Sequence, residues 1–355
     1  GDTYMWQVYD TRNFAVNQKS HPVTTVVTNA NDSGLGSLRE AIAYGGKITF
    51  APSLSGETIR LTTGPLIAYL QDVEIDASTL PGGLTLSGSN LSSVFQVETG
   101  VKVTLRSLTI QDASDELDSR FSYAVVNRGT IELYDCTVHN NLVGGLGNQA
   151  GSALLQNCTF TKNSYLSAVS NWDDATMVMR HCTVVDNVNR FDRFGVLNWG
   201  SLTLENSIVA ENSNINGSSN ISGAYTTVGA NLIGEDSGLA PLARNGARVA
   251  TMEPLADSLA VNAAAASNVG TDAIGRARPI GGTPDLGAVE AVVVNVVPSS
   301  DLNLISISGE LLSWNGLPGA EFEVFLDSGI GFTSVGKTTE TSLALPELSI
   351  DRNYQ

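Results

Sequence analysis

Three cysteines in 355 residues are too few for a disulfide framework, and with no C-x-x-C spacing they do not read as a zinc site. Basic residues are scarce: 19 Lys and Arg stand against 36 Asp and Glu, a formal net charge of −17. Such a surface repels phosphate backbones, so nucleic acid is not an expected partner; solubility in a salty extracellular medium is the simplest use of the charge. No apolar run reaches 18 residues, so membrane insertion is not expected. No phosphate loop, HExxH or nucleophile elbow appears, and no metal site is expected from the residues alone. Helix formers are outnumbered by Thr, Val, Asn, Ser and Gly. Gly1 is not a natural start, so any signal peptide would lie outside these residues.

What the chain has instead is repetition. One phrase occurs five times, at 103–110, 131–138, 153–160, 177–184 and 202–209. A single column of it holds Leu108, Cys136, Cys158, Cys182 and Ser207, spaced 28, 22, 24 and 25. Five residues after each of the last four stands an asparagine: Asn141, Asn163, Asn187 and Asn212. A second asparagine column, Asn127, Asn148, Asn171 and Asn198, precedes each of those phrases. Columns drifting together at one loose period are the signature of a solenoid. Within each phrase apolar residues alternate, as in Ile131, Leu133, Cys136 and Val138, which is the period of a strand with one buried face. A coil of this length with short strands predicts an all-β, right-handed parallel β-helix whose equivalent side chains form ladders. The cysteines are expected to be free thiols filling one inward column, because ladder geometry rarely supplies a disulfide torsion. The asparagines are expected at coil corners, where they tolerate left-handed backbone and pair amide to amide. Loops at 111–122 and 187–194 absorb the drift in spacing.

Both ends of the solenoid are legible. Ser37 and Glu40 form a capping box for one short helix near 36–43, with Leu38, Ala41 and Ile42 on its apolar side, suited to plug the first coil. The segment Gly36-Ser-Leu-Arg-Glu-Ala-Ile42 resembles the GSLREAI cap of bacterial secreted β-helix proteins. Thr271-Asp-Ala-Ile-Gly-Arg-Ala-Arg-Pro279 with Asp285-Leu-Gly-Ala-Val-Glu290 resembles the closing motif of the same pectate-lyase-like, choice-of-anchor-type group. The resemblance covers roughly residues 23–292 and implies a secreted, extracellular or cell-surface protein. It is specific for architecture and not for an activity.

The chain then changes character. Residues 1–20, 21–295 and 296–355 divide it into three. In the last part, Leu311-Leu-Ser-Trp314 precedes an alternating run with Phe322 and Val324, then further short strands. This resembles the first five strands of a fibronectin type III sandwich, broken off near Tyr354. The missing strands resemble the other terminus, where Tyr4, Trp6 and Val8 alternate with polar residues, and Tyr4 and Tyr354 hold matching places. The expected reading is a structural or adhesive repeat unit whose copies, separate or covalently continuous, complete each other's incomplete sandwich head to tail.

The competing reading is enzymatic. Lyases of the resembled fold use a basic residue with Ca2+ held by carboxylates, and hydrolases use clustered aspartates. An outward column, Arg106, Tyr134, Gln156, Arg180 and Glu205, runs beside a second, Ser107, Asp135, Asn157, His181 and Asn206. Arg180, His181 and Asp135 are the candidate base, proton carrier and carboxylate, acting on an acidic surface polysaccharide. No column concentrates carboxylates, so a solvated outer face accounts for the same residues more simply.

Overall fold

Each phrase folds as two strands with a sharp bend between them. The computed structural model describes residues 24–114, 122–189, 193–234, 236–244, 247–280 and 282–291, and the strands Asn303–Ser308, Leu311–Asn315, Phe322–Asp327, Phe332–Thr338 and Ser342–Ala344. The first halves of the phrases, Lys102–Arg106, Thr130–Tyr134, Ser152–Gln156, Thr176–Arg180 and Ser201–Glu205, lie side by side in a nine-stranded sheet A. The second halves, Leu108–Gln111, Thr137–His139, Thr159–Thr161, Thr183–Val185 and Ile208–Ala210, lie in an eight-stranded sheet B. Strands such as Tyr123–Asn127, Gly144–Asn148, Val169–Asn171 and Val196–Asn198 make a seven-stranded sheet C. The chain visits A, B and C in turn, and all pairs within these sheets are parallel, giving a β-helix of about eight turns.

The registers keep the phrases aligned. Leu133 sits beside Leu105 on one side and Leu155 on the other, and Met179 and Leu204 continue the row. These residues are fully buried in a single core that extends from Val27 to Val209. Cys136, Cys158 and Cys182 occupy the next inward column, all buried and free. Each thiol lies near a carbonyl of the preceding coil, Leu105 at 3.6 Å, Leu133 at 3.4 Å and Leu155 at 3.4 Å. Ser207 makes the equivalent contact to the Met179 carbonyl at 3.3 Å.

Both asparagine columns run through the interior as amide ladders. Asn141 Nδ2 donates to Asn163 Oδ1 at 2.8 Å, Asn163 Nδ2 to Asn187 Oδ1 at 3.0 Å, and Asn187 Nδ2 to Asn212 Oδ1 at 2.8 Å. The second donor site of each reaches a strand carbonyl, as Asn163 does to Val138 at 3.0 Å. The other ladder joins Asn127 to Asn148 and Asn148 to Asn171 at 2.7 Å, then Asn171 to Asn198 at 2.8 Å. The left-handed backbone expected at these asparagines falls one residue earlier, on Asn140, Lys162, Asp186 and Glu211, with φ between 52° and 59°. The reason is a division of labour: the left-handed residue turns the chain outward, and the next side chain is thereby aimed in.

The cap helix is Leu38–Tyr44, with Ser37 as N-cap accepting from Glu40 N at 3.2 Å. Glu40 Oε2 returns a bond to Gly36 N at 2.6 Å, and Leu38, Ala41 and Ile42 are buried. Gly45, at φ 72°, ends the helix. Beyond the β-helix, Asn303–Ser308, Leu311–Asn315 and Ser342–Ala344 form one antiparallel sheet, and Phe322–Asp327 pairs with Phe332–Thr338. Trp314, Phe322 and Val324 belong to these strands. Tyr4, Trp6, Val8 and Tyr354 lie outside the described residues.

Three substitutions follow from the ladders. Cys158→Ser should be tolerated, because Ser207 already fills that column, whereas Cys158→Asp should cost several kcal/mol by burying a lone carboxylate. Asn163→Leu should strand a donor on Asn141, at about 1–3 kcal/mol, while Asn187 Oδ1 keeps the backbone N–H of residue 163. Urea midpoints of the β-helix transition measure all three; an unchanged midpoint for Asn163→Leu would mean the ladder contributes nothing.

Candidate functional site

The bend between sheets A and B decides the fate of the candidate catalytic residues. Its central position holds Ser107, Asp135, Asn157, His181 and Asn206, all left-handed with φ from 46° to 56°. Short polar side chains are the non-glycine residues that best tolerate this conformation. The bend column was expected to face solvent. Instead the chain between 236 and 291 folds back over it as a strap. Thr137 Oγ1 donates to the Ala250 carbonyl at 2.6 Å and Asn157 Nδ2 to the Thr271 carbonyl at 2.9 Å. Asn206 Nδ2 donates to the Ala265 carbonyl at 2.9 Å, and Thr183 Oγ1 accepts from Ala288 N at 3.0 Å. At the N-terminal end, Gly83 must lack a side chain, since a Cβ there would run into the Arg248 carbonyl.

His181 is therefore sealed, at 0% exposure. Its Nε2 lies 3.0 Å from Ser267 Oγ and 3.2 Å from Asn206 Nδ2, and its Nδ1 lies 3.3 Å from the Asp285 carbonyl. Burial, aided by the Arg278 charge, pulls its imidazole down to about 3. Asp135 stands two coils away, with Asn157 between them; its Oδ1 accepts from Asn157 Nδ2 at 2.9 Å. Burial pushes the Asp135 carboxyl up to about 6, partly offset by that amide. Arg180 lies on the outer face of sheet A, where its Nε pairs with Glu205 Oε2 at 2.9 Å. The three candidates do not converge. The column beside the bend is likewise internally matched: Arg106 stacks on the Tyr134 ring, 4.1 Å from its centroid.

The strap carries its own charges. Arg278 Nη1 pairs with Glu290 Oε1 at 2.5 Å, both side chains fully buried, and Arg278 Nη2 donates to the Gly287 carbonyl at 2.8 Å. Asp272 accepts from Ile274, Arg276 and Glu290 backbone N–H groups, and Asp285 from those of Asn262 and Ala291. Arg276 pairs with Glu253. The motif expected to close the end of the solenoid thus closes its side: its Asp, Arg and Glu residues tie strap backbone together. Among the described residues, no group of three His, Cys, Asp or Glu side chains is placed to hold a metal ion.

One feature escaped the sequence reading. Trp172 and Trp199, each following a ladder asparagine, meet edge to face with ring centroids 4.9 Å apart. The repeated Asn-Trp pair at 171–172 and 198–199 was the available signal.

No protein-family model matches the chain. No curated protein matches it either. Among solved structures, the crystal structure of pectate lyase Pel9A is similar at 14% identity and a TM-score of 0.36, covering 75% of this chain and 96% of that one.

The His181 environment has a pH signature. The folded chain keeps this imidazole neutral to about pH 3, while an exposed histidine protonates near about 6.5. Below about 6.5 the unfolded chain gains a proton that the folded chain refuses, so stability falls as pH drops toward 3. Asp135, raised, acts in the opposite sense between about 4 and 6. His181→Asn supplies the residue already used at 157 and 206, so it should fold normally at pH 7.5 and lose less stability than the parent on going to about pH 4.5. Urea midpoints at the two pH values test this; equal losses in parent and variant would contradict a sealed neutral histidine.

Proposed function

We propose that this chain is an extracellular structural or adhesive unit, assembling head to tail with other copies of itself, and not a polysaccharide lyase or hydrolase. The observation that carries this reading is the strap across the A–B bend. Cleaving a polymer requires a base and carboxylates converging in an open groove. Here His181 is covered and neutral, Asp135 is two coils away, and Arg180 is engaged by Glu205. The rest of the fold suits a passive rod: homotypic buried ladders and a plugged first coil. Assembly would draw on the terminal segments: residues 296–355 resemble strands of a fibronectin type III sandwich, and Tyr4, Trp6 and Val8 alternate with polar residues as an added strand does.

The test is the state of the full chain in solution. Electron microscopy and sedimentation should find end-to-end particles. Trp6→Ala should weaken their association by on the order of 3 kcal/mol, the burial of one large aromatic side chain, and leave the β-helix melt unchanged. Compact monomers that depolymerise pectin-like polymers would overturn the proposal.

A further inference from the structure

The corner between sheets C and A carries an outward column one residue past the inner amide ladder. The registers Ala68 to Val97 to Asn127 to Asn148 to Asn171 to Asn198 place Tyr69, Glu98, Arg128, Gln149, Trp172 and Trp199 in one line along the solenoid axis. Tyr69 is 58% exposed and Trp199 is 48% exposed. Arg128 Nη1 pairs with Glu98 Oε1 at 3.0 Å, one coil apart. Asp173 and Asp174, both exposed, flank the tryptophan pair.

We infer that this edge binds a neutral polysaccharide chain lying along the solenoid axis. Three observations point to a sugar. Aromatic rings at the two ends of the line, Tyr69 and the Trp172–Trp199 pair, bracket the hydrogen-bonding side chains of Glu98, Arg128 and Gln149, a combination that recognises a surface of C–H faces and hydroxyl rims. The line repeats at the coil spacing of about 4.8 Å, similar to the advance of one hexose in an extended glycan, so successive sugars meet successive coils. The Trp172 ring packs edge to face against Trp199, which holds the exposed indole in place before a ligand arrives and lowers the ordering cost of binding.

Charge selects the class. The one cation of the column is neutralised by Glu98, two aspartates stand beside the tryptophans, and the whole chain carries −17. A polyuronate would meet repulsion along its length, whereas a neutral glycan meets none. A second copy of the chain fits less well: the exposed aromatics form a narrow line interrupted by charge and not a broad apolar patch. The inference uses the adhesive reading only for its biological setting. Trp199→Ala should leave end-to-end association intact and Trp6→Ala should leave glycan binding intact, so the two readings fail separately.

The experiment is a tryptophan-fluorescence titration of the full chain with cellohexaose, laminarihexaose and mannohexaose, against oligogalacturonate of equal length at low and high salt. At least one neutral hexasaccharide should quench and blue-shift the emission, with affinity insensitive to salt. Trimers should bind more weakly, because Tyr69 and Trp172 are four coils, about 19 Å, apart. Trp199→Ala should weaken binding by about tenfold or more, and Trp199→Phe should restore it to within about threefold. The inference is overturned if no neutral glycan changes the emission, if oligogalacturonate binds as well or better, or if Trp199→Ala binds like the parent. It is overturned equally if sedimentation shows Trp199→Ala dissociating an oligomer of the parent, which would mark the edge as a copy-to-copy contact.

Discussion

Parallel strands paired in register set every side chain against its equivalent one coil away. A buried column can therefore be filled only by groups that tolerate their own kind. Aliphatic side chains do, as the row Leu105, Leu133, Leu155, Met179 and Leu204 demonstrates. Thiols do, because Cys136, Cys158 and Cys182 behave as small apolar fillers whose weak donors find carbonyls. The amide is the polar group that does it best, since it carries donor and acceptor together and can hand a hydrogen bond to the next copy of itself. Charges cannot, and on the strands of sheet A they stand on the outer face. There the columns alternate in sign, as in Lys47 with Glu74, Lys102 with Glu132 and Arg180 with Glu205.

The same rule explains the strap. The A–B bend needs a left-handed residue on each coil, and the residues that accept that conformation are polar, so the bend becomes a column of polar side chains. Left in water it would need no partner. Covered, it needs partners, and the strap supplies them to Asn157, His181 and Asn206 with the carbonyls of Thr271 and Ala265 and the hydroxyl of Ser267. The strap has little regular structure and turns its own backbone N–H groups toward the buried carboxylates of Asp272, Asp285 and Glu290. Its fully buried ion pair, Arg278 with Glu290, belongs to this accounting more than to stability, because desolvation offsets most of the attraction of such a pair.

The solenoid was legible because its signal is redundant: the alternation, the cysteine column and two asparagine columns each repeat at the same drifting interval. The cap was legible because helix capping is local chemistry, readable from Ser37 and Glu40 alone. The strap was not. Its partners are separated from it by up to 170 residues, as Ser78 is from Arg248, and nothing in a bend sequence says whether water or another segment will cover it. Asp135 and His181 consequently read as an outward chemical pair when they are turn residues under a lid. Trp172 and Trp199 were missed for the opposite reason: the repeated dipeptide was visible, but its exposure depends on which side of the ladder asparagine the chain turns.

The two ends of the β-helix are treated differently, and this bears on how copies could meet. The first coil is covered by Leu38–Tyr44, which buries Leu38, Ala41 and Ile42 over the core. At the other end Thr226–Val228 pairs on one side only, with the strand Ser201–Glu205, and all three of its residues are exposed. An unpaired edge invites strand addition, yet this one is three residues long and mostly threonine, the short polar form that natural sheets use to blunt an edge. The neighbouring edge strands Ile221–Ser222 and Leu232–Ile233 are shorter still. So few ladder hydrogen bonds could form there that stacking one β-helix directly on another would gain little.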